Sequence, residues 1–161
     1  ARDYRPVDMV PEADRAKFMG IVRADGRVAT RNYIGIVSTV NCSATVSHRI
    51  ADWFTPERLA EFPNIDGVAA FTHSSGCGME LSGEPMDLLR RTTAGYIRHA
   101  NFAAVLVVGL GCERNQIYAL FENEKLASGT TLRTFVMQDS GGGLNVLAQN
   151  NGPAFWMHKI G

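Results

Sequence analysis

The chain has 161 residues, enough for one well-buried domain and too few for two of ordinary size. Hydrophobic residues make up 45% and charged residues 20%, with 16 Lys and Arg against 16 Asp and Glu, a balance that points to neither nucleic acid nor an anionic membrane as partner. The longest apolar stretch, AAVLVVGLG, is far below membrane-spanning length, and the charged opening ARDYRPVDMVPEADRAKFMG holds no signal-peptide core, so a cytoplasmic location is the default.

In chain order, residues 1–20 carry two prolines and several charges without periodicity and read as an arm or linker, so the single domain is expected over 21–161. No Met begins the chain, which with this arm suggests a piece of a longer polypeptide. Asp25-Gly26 is a hairpin signal between two extended segments, and Tyr33 to Thr39 reads as the first sheet strand. Ser43 is placed to cap a helix through ATVSHRIADWF, and Thr55-Pro56 restarts a short one to Phe62. Gly67 to Thr72 is a second strand, and Pro85 opens a helix through His99. Ala103 to Gly109 is a third strand, almost purely aliphatic. A helix follows from Asn115 to Ala127, and Leu132 to Met137 forms a fourth strand. Beyond Gly143 the pattern loosens. NVLAQNN is a candidate helix start, and Phe155, Trp156, Met157 and Ile160 form an apolar tail suited either to the core or to a surface for a further domain or a second copy. Regular alternation of strand and helix predicts a three-layer α/β fold. Its sheet is mostly parallel, with four or more strands and helices on both faces, Rossmann-like in outline, behind an N-terminal arm or hairpin.

Cys42, Cys77 and Cys112 are equally spaced, and each follows one of the first three strands. In a parallel sheet the carboxyl ends of all strands share one edge, where ligands bind. The spacing therefore predicts three thiols converging on a metal or cluster site. Their odd number in a chain without a secretory signal favours reduced thiols over a disulfide framework. Glycine-rich turns around the cysteines let the backbone approach a ligand closely, and a following helix N-terminus favours a thiolate. His73 stands at the same strand end, where an imidazole serves as proton carrier or ligand. His48, His99 and His158 read as surface or packing residues. GLGCERNQ carries a GxG but lacks the third glycine of a dinucleotide fingerprint. Glu113 in that turn is a candidate catalytic residue, its plainer role being to complement the helix dipole. Arg23, Arg27 and Arg31 beside Asp25 form a basic arm suited to carboxylate capture, or an ordinary solvated hairpin.

With FMGIVRADGRVATRNYIGIVSTVNC, HSSGCG and GLGCERNQ in this order and spacing, the chain resembles the galactarate and altronate dehydratase family of sugar-acid hydro-lyases. The resemblance spans roughly residues 18 to 116 and is to the central, second domain of a much longer polypeptide. It implies a sugar-acid substrate such as galactarate or altronate and a C-terminal domain absent from this chain. It further implies iron, as Fe2+ or an Fe–S cluster, or another divalent metal, as the requirement. Carried over by residue, it covers Cys42, His73, Cys77, Cys112 and Glu113, and in the arm Asp25, Gly26, Arg27 and Arg31. The match departs beyond Gly142, where the family runs through a GGT-like turn into a regular helix and this chain reads SGGGLNVLAQNNGPAFWMHKIG. The resulting expectation is a metal held by three thiols, a proton moved by His73, and a substrate carboxylate clamped by arginines, in a fragment inactive by itself. Two other classes stay open. One is a non-catalytic metal- or cluster-binding assembly module, the other a phosphate- or dinucleotide-binding domain; homo-oligomerisation is undecided by the sequence.

Overall fold

A computed structural model describes residues 6–141; the tail readings, His158 among them, lie outside these. Residues 6–19 are exposed and hold one 3₁₀ turn, Glu12–Asp14. The Asp25-Gly26 signal is realised as a hairpin, in which β1 (Ile21–Val22) pairs antiparallel with β2 (Val28–Ala29) and Gly26 has φ 82°. A parallel sheet follows, made of β3 (Tyr33–Ser38), β4 (Gly67–Phe71), β5 (Phe102–Gly109) and β6 (Leu132–Val136), in the order β4-β3-β5-β6. The linking helices are α1 (Ala44–Asp52), α2 (Pro56–Leu59), α3 (Glu84–Ile97) and α4 (Ile117–Asn123).

Strand β3 shows why the fold has three layers. Ile34 and Ile36 pack with Ile50 and Phe54 of the α1 region, and with Ala104, Leu106 and Val108 of β5. Val37 points the other way, into a second core with Val105, Val107, Ile97 of α3 and Leu120 of α4. Side chains alternate between sheet faces, so apolar residues at successive positions need a cover on both. The chain leaves β3 in one direction to reach β4, then crosses back over β3 to β5 and β6. A constant hand of crossover puts α1 on one face and α3 and α4 on the other, as the two cores show.

The strand order, with the first parallel strand between the second and third, is the 2-1-3-4 order of one common doubly wound sheet, so the three-layer α/β reading holds. Two expectations are corrected. Ser43 precedes α1 but makes no side-chain cap, because its buried hydroxyl is drawn to the Val108 and Val40 carbonyls at 2.9 and 3.0 Å. Helix α4 starts at Ile117 instead of Asn115, since the N–H groups of Arg114 and Asn115 bond to the Gly76 carbonyl. It stops at Asn123, where Lys125 adopts φ 51° and the Leu126 N–H returns to the Phe121 carbonyl at 2.9 Å. Among the described residues no helix is long and apolar enough to cross a membrane.

Leu120 is fully buried between the sheet and α4, whereas Leu88 on α3 is 53% exposed. Leu120→Ala should lower the unfolding free energy by about 2–5 kcal/mol, and Leu88→Ala by less than about 0.5. Urea denaturation of both variants measures this, and equal effects would contradict the two-core arrangement.

Candidate functional site at the carboxyl edge of the sheet

Because all four strands run parallel, the turns after β3, β4 and β5 meet at one edge. The first strand is flanked there by the second and third, so the crevice between β3 and β5 is where the chain reverses direction, the usual ligand position in open α/β sheets. Cys42 lies in the 3₁₀ turn Asn41–Ser43 after β3, Cys77 in the turn after β4 and Cys112 in the turn after β5.

Main-chain hydrogen bonds lock these turns together. The Asn41 N–H donates to the Ser75 carbonyl at 2.9 Å, and the N–H groups of Arg114 and Asn115 donate to the Gly76 carbonyl at 3.0 and 3.3 Å. The Ser75-Gly76 segment is thereby held from both sides. Gly76 has φ +96°, and a Cβ there would sit 2.5 Å from the Thr39 carbonyl oxygen and 3.0 Å from Val40 Cα. Only glycine fits, because both the dihedral and the approach of two backbones exclude a side chain.

Glu113 organises the third turn. It is 3% exposed, and Oε1 accepts from Thr39 Oγ1 at 2.8 Å and from the Leu110 N–H at 3.2 Å, while Oε2 accepts from the Gly111 N–H at 2.6 Å. The carboxylate thus fills the nest of N–H groups that a phosphate would occupy in a Gly-x-Gly turn. That occupancy speaks against a phosphate in the GLGCERNQ turn, whose N–H groups already have an acceptor. Both oxygens being engaged, Glu113 ties the Cys112 turn to the end of β3.

All three cysteines are free and exposed. Local loss of water around the thiol, together with the neighbouring Cys77 and Cys112 sulfurs, pushes the Cys42 thiol above its ordinary value. Cys42 therefore lies within electrostatic reach of the other two sulfurs. The three do not form a closed chelate: among the described residues no group of three His, Cys, Asp or Glu is drawn tightly enough to hold an ion. Cys42 Sγ turns to Asn41 Oδ1 and Cys112 Sγ accepts from Gln138 Nε2, each at 3.5 Å. As a donor set, three soft sulfurs on adjoining turns fit iron, an Fe–S cluster or zinc better than a hard cation, and a bound cation would reverse the repulsion that raises Cys42.

His73 stands after β4, half-buried. Nδ1 accepts from the Ser75 N–H at 3.2 Å, which leaves the ring proton of the neutral form on Nε2. Nε2 is buried without a partner in hydrogen-bond geometry, with the Ser38 main chain nearby. Burial pushes the His73 pKa below 6.5, partly opposed by Ser38, so the neutral ring is the form present near neutral pH.

The arm arginines are elsewhere. Arg27 pairs with Asp25 at 2.7 Å and donates to the Arg98 carbonyl, while Arg23 Nε donates to the Ala100 carbonyl at 2.8 Å. Arg31 Nη1 donates to its neighbour's carbonyl on Thr30 at 3.0 Å, and its N–H reaches Asn101 Oδ1 at 3.3 Å. Residues 98–101 lead into the amino end of β5, so Arg27 and Arg31 occupy the opposite edge, about 20 Å from the thiols at strand rise. The expected carboxylate clamp is not brought to the site by these residues. His48 Nε2 lies 3.2 Å from Thr72 Oγ1 and His99 Nδ1 accepts from the Asn101 N–H, packing roles as expected.

The site also holds residues that the sequence reading missed. Asn115, fully buried, donates from Nδ2 to the Thr39 carbonyl at 3.1 Å and accepts from Arg90 Nε at 3.3 Å. Thr39 is equally buried. Helical phase was the available signal for Arg90, which shares the inward stripe of Met86, Ala94 and Ile97, unlike its neighbour Arg91.

Two outcomes test this geometry. Glu113→Ala strands three donors, and at about 1 kcal/mol or more each it should destabilise the fold by about 3 kcal/mol or more and speed alkylation of Cys112. Unchanged stability would refute the turn-tying role. For His73, whose folded value is depressed, the stability contribution is fully present above 6.5 and is lost as pH falls through the folded value. NMR titration should place its midpoint below 6.5, and a midpoint above that would contradict the buried Nε2.

Comparison with known proteins identifies the family. The family model described as D-galactarate dehydratase/altronate hydrolase, second domain, matches residues 20–151. Altronate dehydratase of Escherichia coli (strain K12) is 38% identical over 100 residues, which cover 62% of this chain and 20% of that protein. Altronate dehydratase of Bacillus subtilis (strain 168) is 31% identical over 105 residues, 65% of this chain and again 20% of the relative. The chain thus spans about a fifth of the length of these relatives, and no solved structure matches it. This chain belongs to the D-galactarate dehydratase/altronate hydrolase family, whose second domain it carries.

Proposed function

We propose that this domain is the thiol-bearing part of a hydro-lyase that removes water from a sugar acid such as altronate or galactarate. The observation that carries the reading is the meeting, on hydrogen-bonded turns at one crevice, of three exposed free thiols and a buried Nε2–H of His73. The relatives named altronate dehydratase supply the substrate class. Cys42, Cys77 and Cys112 would hold the metal, with small side-chain rotations closing the set. Iron bound there, as Fe2+ or in an Fe–S cluster, would supply Lewis-acid assistance to loss of hydroxide; another divalent metal accepting thiolates would supply the same.

The remaining work falls to the protein. Dehydration of a hydroxy acid takes a proton from the carbon beside the carboxylate and expels the neighbouring hydroxyl, a poor leaving group unless it is protonated. Because the Ser75 N–H occupies Nδ1, the neutral His73 ring presents Nε2–H as a hydrogen-bond donor that stabilises the departing oxygen, and the proton that completes water comes from the acid–base groups of the rest of the full-length enzyme. Glu113, bound on both oxygens, positions the Cys112 turn and takes no proton. The acceptor for the α proton is then assigned to the rest of the full-length enzyme, whose other domains also exclude water from this exposed edge.

Metal content and rate, measured on two variants of the full-length enzyme, test these roles. His73→Ala should keep its iron and lose rate by about 10²- to 10⁴-fold. Cys77→Ser should lose the iron, since a neutral hydroxyl is a far weaker ligand than a thiolate. A metal-free His73 variant, or a Cys77 variant retaining iron and activity, would overturn the assignment.

A further inference from the structure

Arg90 projects from the sheet-facing side of α3 and is 6% exposed. A guanidinium stays charged throughout the pH range of a folded protein, so burial is not relieved by loss of its proton. Among the described residues its side chain makes one hydrogen bond, from Nε to Asn115 Oδ1 at 3.3 Å. The ion pairs among those residues are Arg27–Asp25 and Arg98–Glu124, so no carboxylate there forms a direct ion pair with Arg90. Glu113 has both oxygens committed to the turn. A buried cation without a counter-charge is unfavourable, and a bound anion removes the penalty.

Its position suits such a ligand. Through Asn115, which also bonds to the Thr39 carbonyl, the guanidinium adjoins the end of β3, beside the crevice between β3 and β5. His73 follows β4, where Phe71 faces the α3 core and Thr72 turns toward α1 through His48, so alternation returns His73 to the side of α3. Nε2 of His73 is buried and unpartnered there. We propose that Arg90 is the carboxylate-binding residue of this site, receiving the sugar acid's carboxylate on the guanidinium nitrogens that remain after Nε has bonded to Asn115. The assignment rests on the sugar-acid reading above and gives to Arg90 the clamp that the arm arginines are too far away to provide.

Calorimetric binding to the full-length enzyme tests it without turnover, using gluconate, the uncharged polyol sorbitol and inorganic phosphate, with altronate dehydration assayed separately. Wild type should bind gluconate at least tenfold more tightly than sorbitol. Arg90→Met, which fills the same space without charge, should weaken gluconate by roughly 10- to 100-fold and leave sorbitol unchanged. Arg90→Lys, which keeps the charge without the fork, should fall between, and it decides the matter if the Met variant does not fold. Gluconate affinity unchanged in either variant, or no gluconate binding by wild type, would overturn the proposal. So would a parallel loss of gluconate and sorbitol binding, which is the mark of a structural role, or phosphate bound more tightly than gluconate. An enzyme that binds gluconate through Arg90 yet does not dehydrate altronate would sink the functional reading and leave the anion site standing. Turnover with Arg90 variants that bind normally would do the reverse.

Discussion

The grip on Ser75-Gly76 is the constraint on which the carboxyl edge depends. Three separate turns, each after a different strand, have no covalent reason to keep fixed distances from one another. Here the turns after β3 and β5 both donate main-chain N–H groups to consecutive carbonyls of the turn after β4. Gly76 permits it, since any side chain would strike the Thr39 carbonyl. Glu113 closes the triangle from the other side, bonding its own turn to Thr39. Exposed cysteines mounted on such a frame are held near one another although their side chains are free to rotate. That combination suits a ligand set that closes on an ion.

The same frame explains how residues are divided between framework and chemistry. Buried polar groups at this edge are almost all saturated: Thr39, Ser43, Asn115 and Glu113 each have their partners within the turns. Ser38 Oγ at the end of β3, His73 Nε2 and the charge of Arg90 lack matched partners among the described residues, the last two on the face covered by α3. In a site that leaves few polar groups unsatisfied, those that remain are the ones available to a substrate. The opposite edge shows a different logic, since the hairpin is fastened to residues 98–101 by arginines and by Asn101, which accepts from Thr30 and Arg31.

The four strands were legible because their runs, such as YIGIVS and FAAVLVVG, are apolar at consecutive positions, which only a sheet buried on both faces demands. The common edge of the thiols followed from parallel topology alone. What escaped was anything set by pairing between distant turns. Ser43 looked like a helix cap until the Val108 carbonyl was seen to claim it. Asn115 looked like a helix start, although its N–H is spent on Gly76. The arm arginines precede β3, so their place at the amino edge is implicit in the strand direction. Arg90, next to Arg91 in a basic stretch, showed only through the phase of its helix.

X-ray absorption at the iron edge of the anaerobically reconstituted full-length enzyme is the most direct test of the central claim, that three turns deliver three sulfurs to one metal. The account predicts three protein sulfurs in the first shell at about 2.3 Å, and loss of the bound iron in Cys112→Ser as in Cys77→Ser. A first shell of oxygen and nitrogen alone, unaltered by that substitution, would contradict it.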